Sequence, residues 1–132
     1  MSSEVSNSDW GKLVLRLSIG GMMLCHGIGK IIGGVDPVVN MVKGVGLPGF
    51  IAYGVYVGEV VAPVLLIIGY FTRPAALVLA FTMVTAILLA HSGDIFKLSD
   101  HGGWGIETPA LFLFGGVAIA CLGGGRLAIS KG

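Results

Sequence analysis

The chain has 132 residues, 55% of them hydrophobic and only 11% charged, with a formal net charge of +1. Soluble domains carry about 25% charged residues. Charge this sparse, set in long uncharged runs, excludes an ordinary soluble domain, and a near-neutral balance gives no footing for a nucleic-acid partner. The composition predicts an integral membrane protein: an all-α, four-helix transmembrane bundle. One domain is expected over residues 12–125, between a polar tail (1–11) and a short stub (126–132). The 23 glycines read as positions where membrane helices approach closely.

In chain order, Lys12 to Gly33 reads as the first span. Its apolar run is too long for a cleavable leader and no small-x-small site follows, so it reads as a retained anchor. It carries Arg16, His26 and Lys30, the last two at i, i+4 and so on one face. Gly29 and Gly33 form a GxxxG pair, a weak packing signal. Asp36-Pro37 marks a helix start and Gly44 a stop, which predicts a short interfacial helix over Pro37–Lys43.

The second span, Gly49 to Tyr70, contains one strongly ionisable side chain, Glu59, with Pro63 four residues on. Proline has no N–H and crowds the carbonyl four residues back. The pattern therefore predicts a kink at Glu59–Pro63, with the acid turned into the bundle, since lipid offers it no partner. The third span runs from Pro74 to His91. In it, the hydroxyls of Thr82 and Thr85 can bond backbone carbonyls. A polar loop follows, then a fourth span from Ile106 to Leu122 with a small-residue stripe at Gly116, Ala120 and Gly124. The cysteines, Cys25 and Cys121, differ in depth by about 15 Å on these spans, too far for a disulfide, and both read as small core residues.

Helix rise alone places the polar residues by depth. From the face holding the termini, Arg16 lies at about 6 Å, Glu59 at about 16 Å and His26 at about 21 Å, with Lys30, His91 and Glu107 at about 27 Å. Glu59 is the candidate proton-handling acid, with His26 or Arg16 expected as its partner. Lys30, His91, Glu107 and Trp104 are candidate substrate-binding residues at the mouth. Most have a structural alternative: Glu59 as helix glue, Arg16 snorkelling to headgroups, His26 as a satisfied core histidine, Lys30 as an interface anchor, Trp104 as part of an aromatic belt, Glu107 complementing a helix dipole. No closely spaced His/Cys pattern calls for a metal. With both termini inside, Lys12, Arg16, Arg73, Arg126 and Lys131 stand against Lys30, Lys43 and Lys97 outside, which favours cytoplasmic termini.

The segments LRLSIGGMMLCHGIGK, GLPGFIAYGVYVGEVVAPVLLIIGYFTRPAAL, AHSGDIF, GGWGIETPALFLF and GGGRLAIS together resemble the DoxX family. They cover nearly the whole chain. Arg16, the His26-Gly27…Lys30 ending, Glu59, His91, Gly102-Gly103 and Glu107 fall on the family pattern. Thr108 stands where an aromatic is usual, and Ala128-Ile129-Ser130 departs from the usual Ser-Leu-Asp tail. The resemblance implies a small four-helix protein of the bacterial inner membrane, grouped with candidate oxidoreductases. Its relatives are linked to quinone-reducing thiosulfate oxidation and to redox-stress membrane complexes. No haem, flavin or iron–sulfur motif is present in the sequence, so a redox role needs a quinone or a partner's cofactor. The reading at this level is a redox-associated membrane component that binds a quinone head group or a small polar substrate. The alternatives are a non-catalytic subunit of a larger membrane complex and a small-solute or proton pathway. The expected partners are the bilayer and either other membrane subunits or further copies of the chain.

Overall fold

The computed structural model describes residues 4–90, 92–98, 100 and 102–129. Helix α1 (Asn7–Gly33) starts five residues earlier than the apolar pattern alone suggests. Ser6 and Asp9 form a reciprocal capping box: the Asp9 N–H donates to Ser6 Oγ, and the Ser6 N–H donates to the Asp9 carboxylate. This satisfies donors that the first helical turn leaves open. The signal Ser-x-x-Asp stands in the sequence, in the stretch read as a tail.

A short helix α2 (Asp36–Gly44) follows, with Val42 buried. The chain then returns through a composite span: a 3₁₀ segment (Gly49–Gly54), a π turn (Val57–Val61) and helix α3 (Ala62–Ile68). The expected irregularity at Glu59–Pro63 takes the form of the π turn, in which the Ala62 N–H reaches the Val57 carbonyl. Gly69, at φ +74°, ends α3, and α4 (Thr72–Ala90) crosses back. Within α4, Thr82 and Thr85 donate to the carbonyls of Val78 and Phe81. Helix α5 (Glu107–Leu122) completes the bundle.

The four crossing segments close a ring in which α1 packs on α3 and α5, and α4 packs on α3 and α5. The shared core includes Met23, Leu66, Leu79, Met83, Phe112 and Ile119. Among the described residues, three spans are long and apolar enough to cross a membrane: Asn7–Gly33, Gly49–Ile68 and Thr72–Ala90. Helix α5 has 16 residues, about 24 Å of rise, against a hydrocarbon core of about 30 Å. It is thus shorter than a full span. Large apolar side chains such as Phe81, Leu88, Leu111 and Phe114 point outward, as lipid-facing residues do.

Packing falls on other glycines than the GxxxG pair. Nothing lies within 4 Å of a Cβ built at Gly29 or Gly33, whereas one at Gly27 would overlap the Glu59 carbonyl and one at Gly20 would sit 3.0 Å from the Pro63 carbonyl oxygen. Gly20 and Gly27 are seven apart, one face of α1, and they let it approach the π turn and α3 at backbone distance. The expected stripe on α5 does meet a neighbour: Gly116 faces Ala76 and Ala80 of α4. Both cysteines are free, and the expectation that they sit in the core is corrected: both are exposed, on helix faces turned away from the bundle.

Candidate functional site

Glu59 projects from the π turn into the bundle, its side chain 5% exposed. Its partner is Lys30, whose Nζ lies 2.7 Å from one carboxylate oxygen and 2.8 Å from the other. The expectation of His26 or Arg16 as partner is therefore corrected. The physical reason is side-chain direction. Every Cα–Cβ bond in a helix tilts towards that helix's N-terminus. The segment bearing Glu59 runs back towards the termini, so its acid leans away from them. On α1, which runs the other way, Lys30 leans down towards Glu59. Its four-carbon stem covers the remaining difference in depth. Tyr56, one turn before Glu59, donates its hydroxyl to the Lys30 carbonyl and fastens the same part of α1.

Arg16, lower on α1, leans the same way as Lys30 and so away from Glu59, and it is only 1% exposed. It does not snorkel and does not reach Glu59. Its guanidinium donates to four carbonyls: Leu66 and Ile67 at the end of α3, and Gly124 and Leu127 beyond α5. Helix C-termini leave such carbonyls open and carry partial negative charge. Arg16 is thus a structural clasp at the termini end of the bundle. Asp9 adds a second clasp there by accepting the Arg126 backbone N–H at 3.1 Å.

At the opposite end a cavity of about 410 Å³ opens between α1, the π turn, α4 and the start of α5. Met23, Met83, Ala86 and Phe112 give it apolar walls, and His26, Lys30, Glu59, Trp104 and Glu107 bring polar groups to it. Five of the seven residues singled out from the sequence therefore meet in one cavity. Arg16 lies elsewhere, and His91 falls outside the described residues. The His26 ring stands edge-on to Phe112, with centroids 5.7 Å apart. The Trp104 indole N–H donates to the Ile95 carbonyl, and the Glu107 N–H to the Trp104 carbonyl. The loop thus holds both residues against the start of α5. Among the described residues, no three His, Cys, Asp or Glu side chains gather as a metal site; His101, like His91, lies outside them.

Sequence reasoning left Gly27, Gly58 and Thr82 out of the site. A Cβ on Gly58 would overlap the Thr82 hydroxyl. Gly27 and Gly58 thus let α1 and α4 close on the π turn from two sides and hold Glu59 in place. The signal for Gly27 is its place next to His26 in the His-Gly-x-x-Lys ending.

The DoxX family pattern matches residues 11–92 of the chain. A Bacillus subtilis (strain 168) protein named "Putative oxidoreductase CatD" is 32% identical over 78 residues, 59% of this chain and 58% of that protein. The chain thus spans a little over half the length of that relative. An "Uncharacterized protein" of Haemophilus influenzae Rd is 33% identical over 107 residues, 76% of each chain. No solved structure matches. With the family pattern covering more than half its length, including α1, the second span and α4, the chain belongs to the DoxX family.

Proposed function

We propose that the chain is a redox-associated component of the bacterial inner membrane whose cavity binds a quinone head group or a small polar molecule of similar size. The observation that carries this reading is the cavity itself. Small-molecule sites are typically concave, about 300–1,000 Å³, mostly apolar, with a few convergent polar groups. The residues present fit a quinone ring: Met23, Met83 and Phe112 provide apolar walls, and His26 and Lys30 provide donors for ring oxygens. Bound there, a quinone supplies a two-electron, two-proton couple. The electrons come from a donor outside this chain, a partner's cofactor or a reduced substrate.

The roles of the side chains follow from their contacts. Glu59 takes two of the three N–H bonds of Lys30 and holds the ammonium at the cavity wall, leaving the third for a ligand oxygen. His26 stands exposed in the cavity, and an imidazole both donates and accepts protons. Trp104 and Glu107 shape the mouth. With the termini on the cytoplasmic side, as the basic residues favour, the cavity opens towards the other face. The name of the Bacillus relative, "Putative oxidoreductase CatD", supports a redox setting.

The test uses one of the two tryptophans as reporter. In a Trp10→Phe background, purified protein in mild detergent is titrated with a short-chain quinone while Trp104 fluorescence is followed. Saturable quenching is expected, with Lys30→Met weakening it about tenfold or more, the loss of one charge-assisted hydrogen bond, and His26→Phe weakening it about fivefold, the loss of one ordinary hydrogen bond. Absence of saturable quenching overturns the quinone reading. Co-purification of a catalytic partner, with no binding by the chain alone, would favour the accessory-subunit reading.

A further inference from the structure

The polar groups of the cavity do not all suit the same oxidation state of a ligand ring. Lys30 keeps one N–H beyond its two bonds to Glu59, and an ammonium only donates. Glu107 opens α5 and lines the same cavity. Its backbone N–H is held by the Trp104 carbonyl, while its carboxylate, unlike that of Glu59, takes part in no hydrogen bond or ion pair among the described residues. An ionised carboxylate only accepts.

The two groups stand at one level of the cavity on different helices. The His26 and Phe112 rings meet edge-on. Helix α1 runs towards the cavity end and α5 runs away from it. Lys30, four residues after His26, and Glu107, five residues before Phe112, therefore both lie about 6–8 Å beyond that ring contact by helix rise. A donor-only group and an acceptor-only group so placed suit a ring that can accept at one oxygen and donate at another. The two oxygens of a quinone only accept. The two hydroxyls of a hydroquinone do both, and the imidazole of His26 can serve either form.

We propose that the cavity binds a hydroquinone in preference to the quinone and that Glu107 is the residue that selects it: one ligand hydroxyl donates to the Glu107 carboxylate while the other ring oxygen accepts from Lys30. This rests on the quinone reading above and adds the redox form to it. A quinone in the same pose sets a carbonyl oxygen against the carboxylate with no proton between them, and a site built to bond a ligand hydroxyl rejects the analogue that lacks it. Glu107 is exposed at the mouth, where water competes, so the preference is about tenfold, the low end for a hydrogen bond to a charged group. Tenfold tighter binding of the reduced form raises the midpoint potential of the bound two-electron couple by about 30 mV.

Equilibrium dialysis of the full chain in mild detergent under nitrogen tests this, with duroquinone and its hydroquinone as probes and protein-free micelles as the blank. The ring of this quinone is fully methylated, so it does not add to the exposed Cys25 and Cys121. The hydroquinone is expected to bind about tenfold tighter. Glu107→Gln, whose amide offers donors as well as an acceptor, is expected to bring the two forms within about twofold of each other. A redox titration of the probe with saturating wild-type protein needs no variant and is expected to place the midpoint about 30 mV above that of the probe in micelles alone. Equal binding of the two forms by the wild-type chain, or tighter binding of the quinone, overturns the proposal and leaves the quinone reading standing. A preference that Glu107→Gln retains in full overturns the role of Glu107. Binding of neither form overturns the quinone reading and this proposal with it.

Discussion

Lys30 and Glu59 bring opposite charges together where neither is easily solvated. The acid is buried and the ammonium is 33% exposed at the cavity wall. Removing one member of a buried pair strands the other charge, which typically costs about 3–5 kcal/mol, whereas replacing both is often close to neutral. Lys30→Met is therefore expected to lower stability by about 3 kcal/mol in thermal or denaturant unfolding in detergent. Adding Glu59→Gln to it should restore most of the loss. If the double variant is no better than the single, the two side chains are not an energetic pair. Arg16 is a different case. A lysine there keeps the charge but replaces five donors in a planar fork with three on a point. Arg16→Lys is expected to cost about 3–6 kcal/mol, two hydrogen bonds to a charged donor, without changing affinity for the proposed quinone at the far end. A loss of affinity greater than the loss of folded protein would place Arg16 in the site after all.

At the scale of the element, the second span is the irregular member of the bundle. Its 3₁₀, π and α segments succeed one another within 20 residues. π turns often occur at functional sites, and here the turn carries the buried acid. Gly27 and Gly58 are the contacts that hold it. Gly27→Ala would drive a methyl group into a backbone carbonyl, a clash that no rotamer change relieves. The expected cost is about 3 kcal/mol, the upper end for overpacking, together with a loss of quinone binding as Glu59 is displaced. Gly29→Ala, two residues along the same helix in open space, is expected to stay within about 0.5 kcal/mol, as surface changes do. Comparing the unfolding midpoints of the two variants checks the assignment: equal effects would mean that α1 does not pack on the turn at Gly27.

The molecule as a whole is fastened at one end and hollow at the other. Arg16 and Asp9 tie the start of α1 to the end of α3 and to residues 124–127. The cavity lies at the opposite end, under the loop that carries Trp104. A chain ending at Gly123 loses the Gly124 and Leu127 acceptors of Arg16 and the Arg126 donor to Asp9. It should unfold more easily by about 3 kcal/mol from the two lost Arg16 hydrogen bonds alone, each at the low end of the range for a charged donor. The unfolding midpoint of the truncated protein in detergent measures this. An unchanged midpoint would show that the C-terminal segment contributes nothing to the clasp.

The apolar runs, the buried acid with its proline, and most of the residues that meet in the cavity were legible in the sequence, because hydropathy and helix rise act along the chain. Rise gives depth, and depth set His26, Lys30 and Glu107 above Glu59 towards one end of the bundle, with Trp104 in the loop beside them. Which of them touch was decided by tertiary structure. Depth carries no information on rotation about the helix axis, and only the antiparallel arrangement of α1 and the second span turns Lys30 down and Glu59 up until they meet. The same tilt carries Arg16 away from the acid to carbonyls contributed by residues 66–67 and 124–127. The packing glycines were hidden for a related reason. A GxxxG spacing marks a smooth helix face but does not say whether another helix lies against it. Gly27 matters because a carbonyl of the π turn lies against it, and no spacing within α1 encodes where that turn will sit.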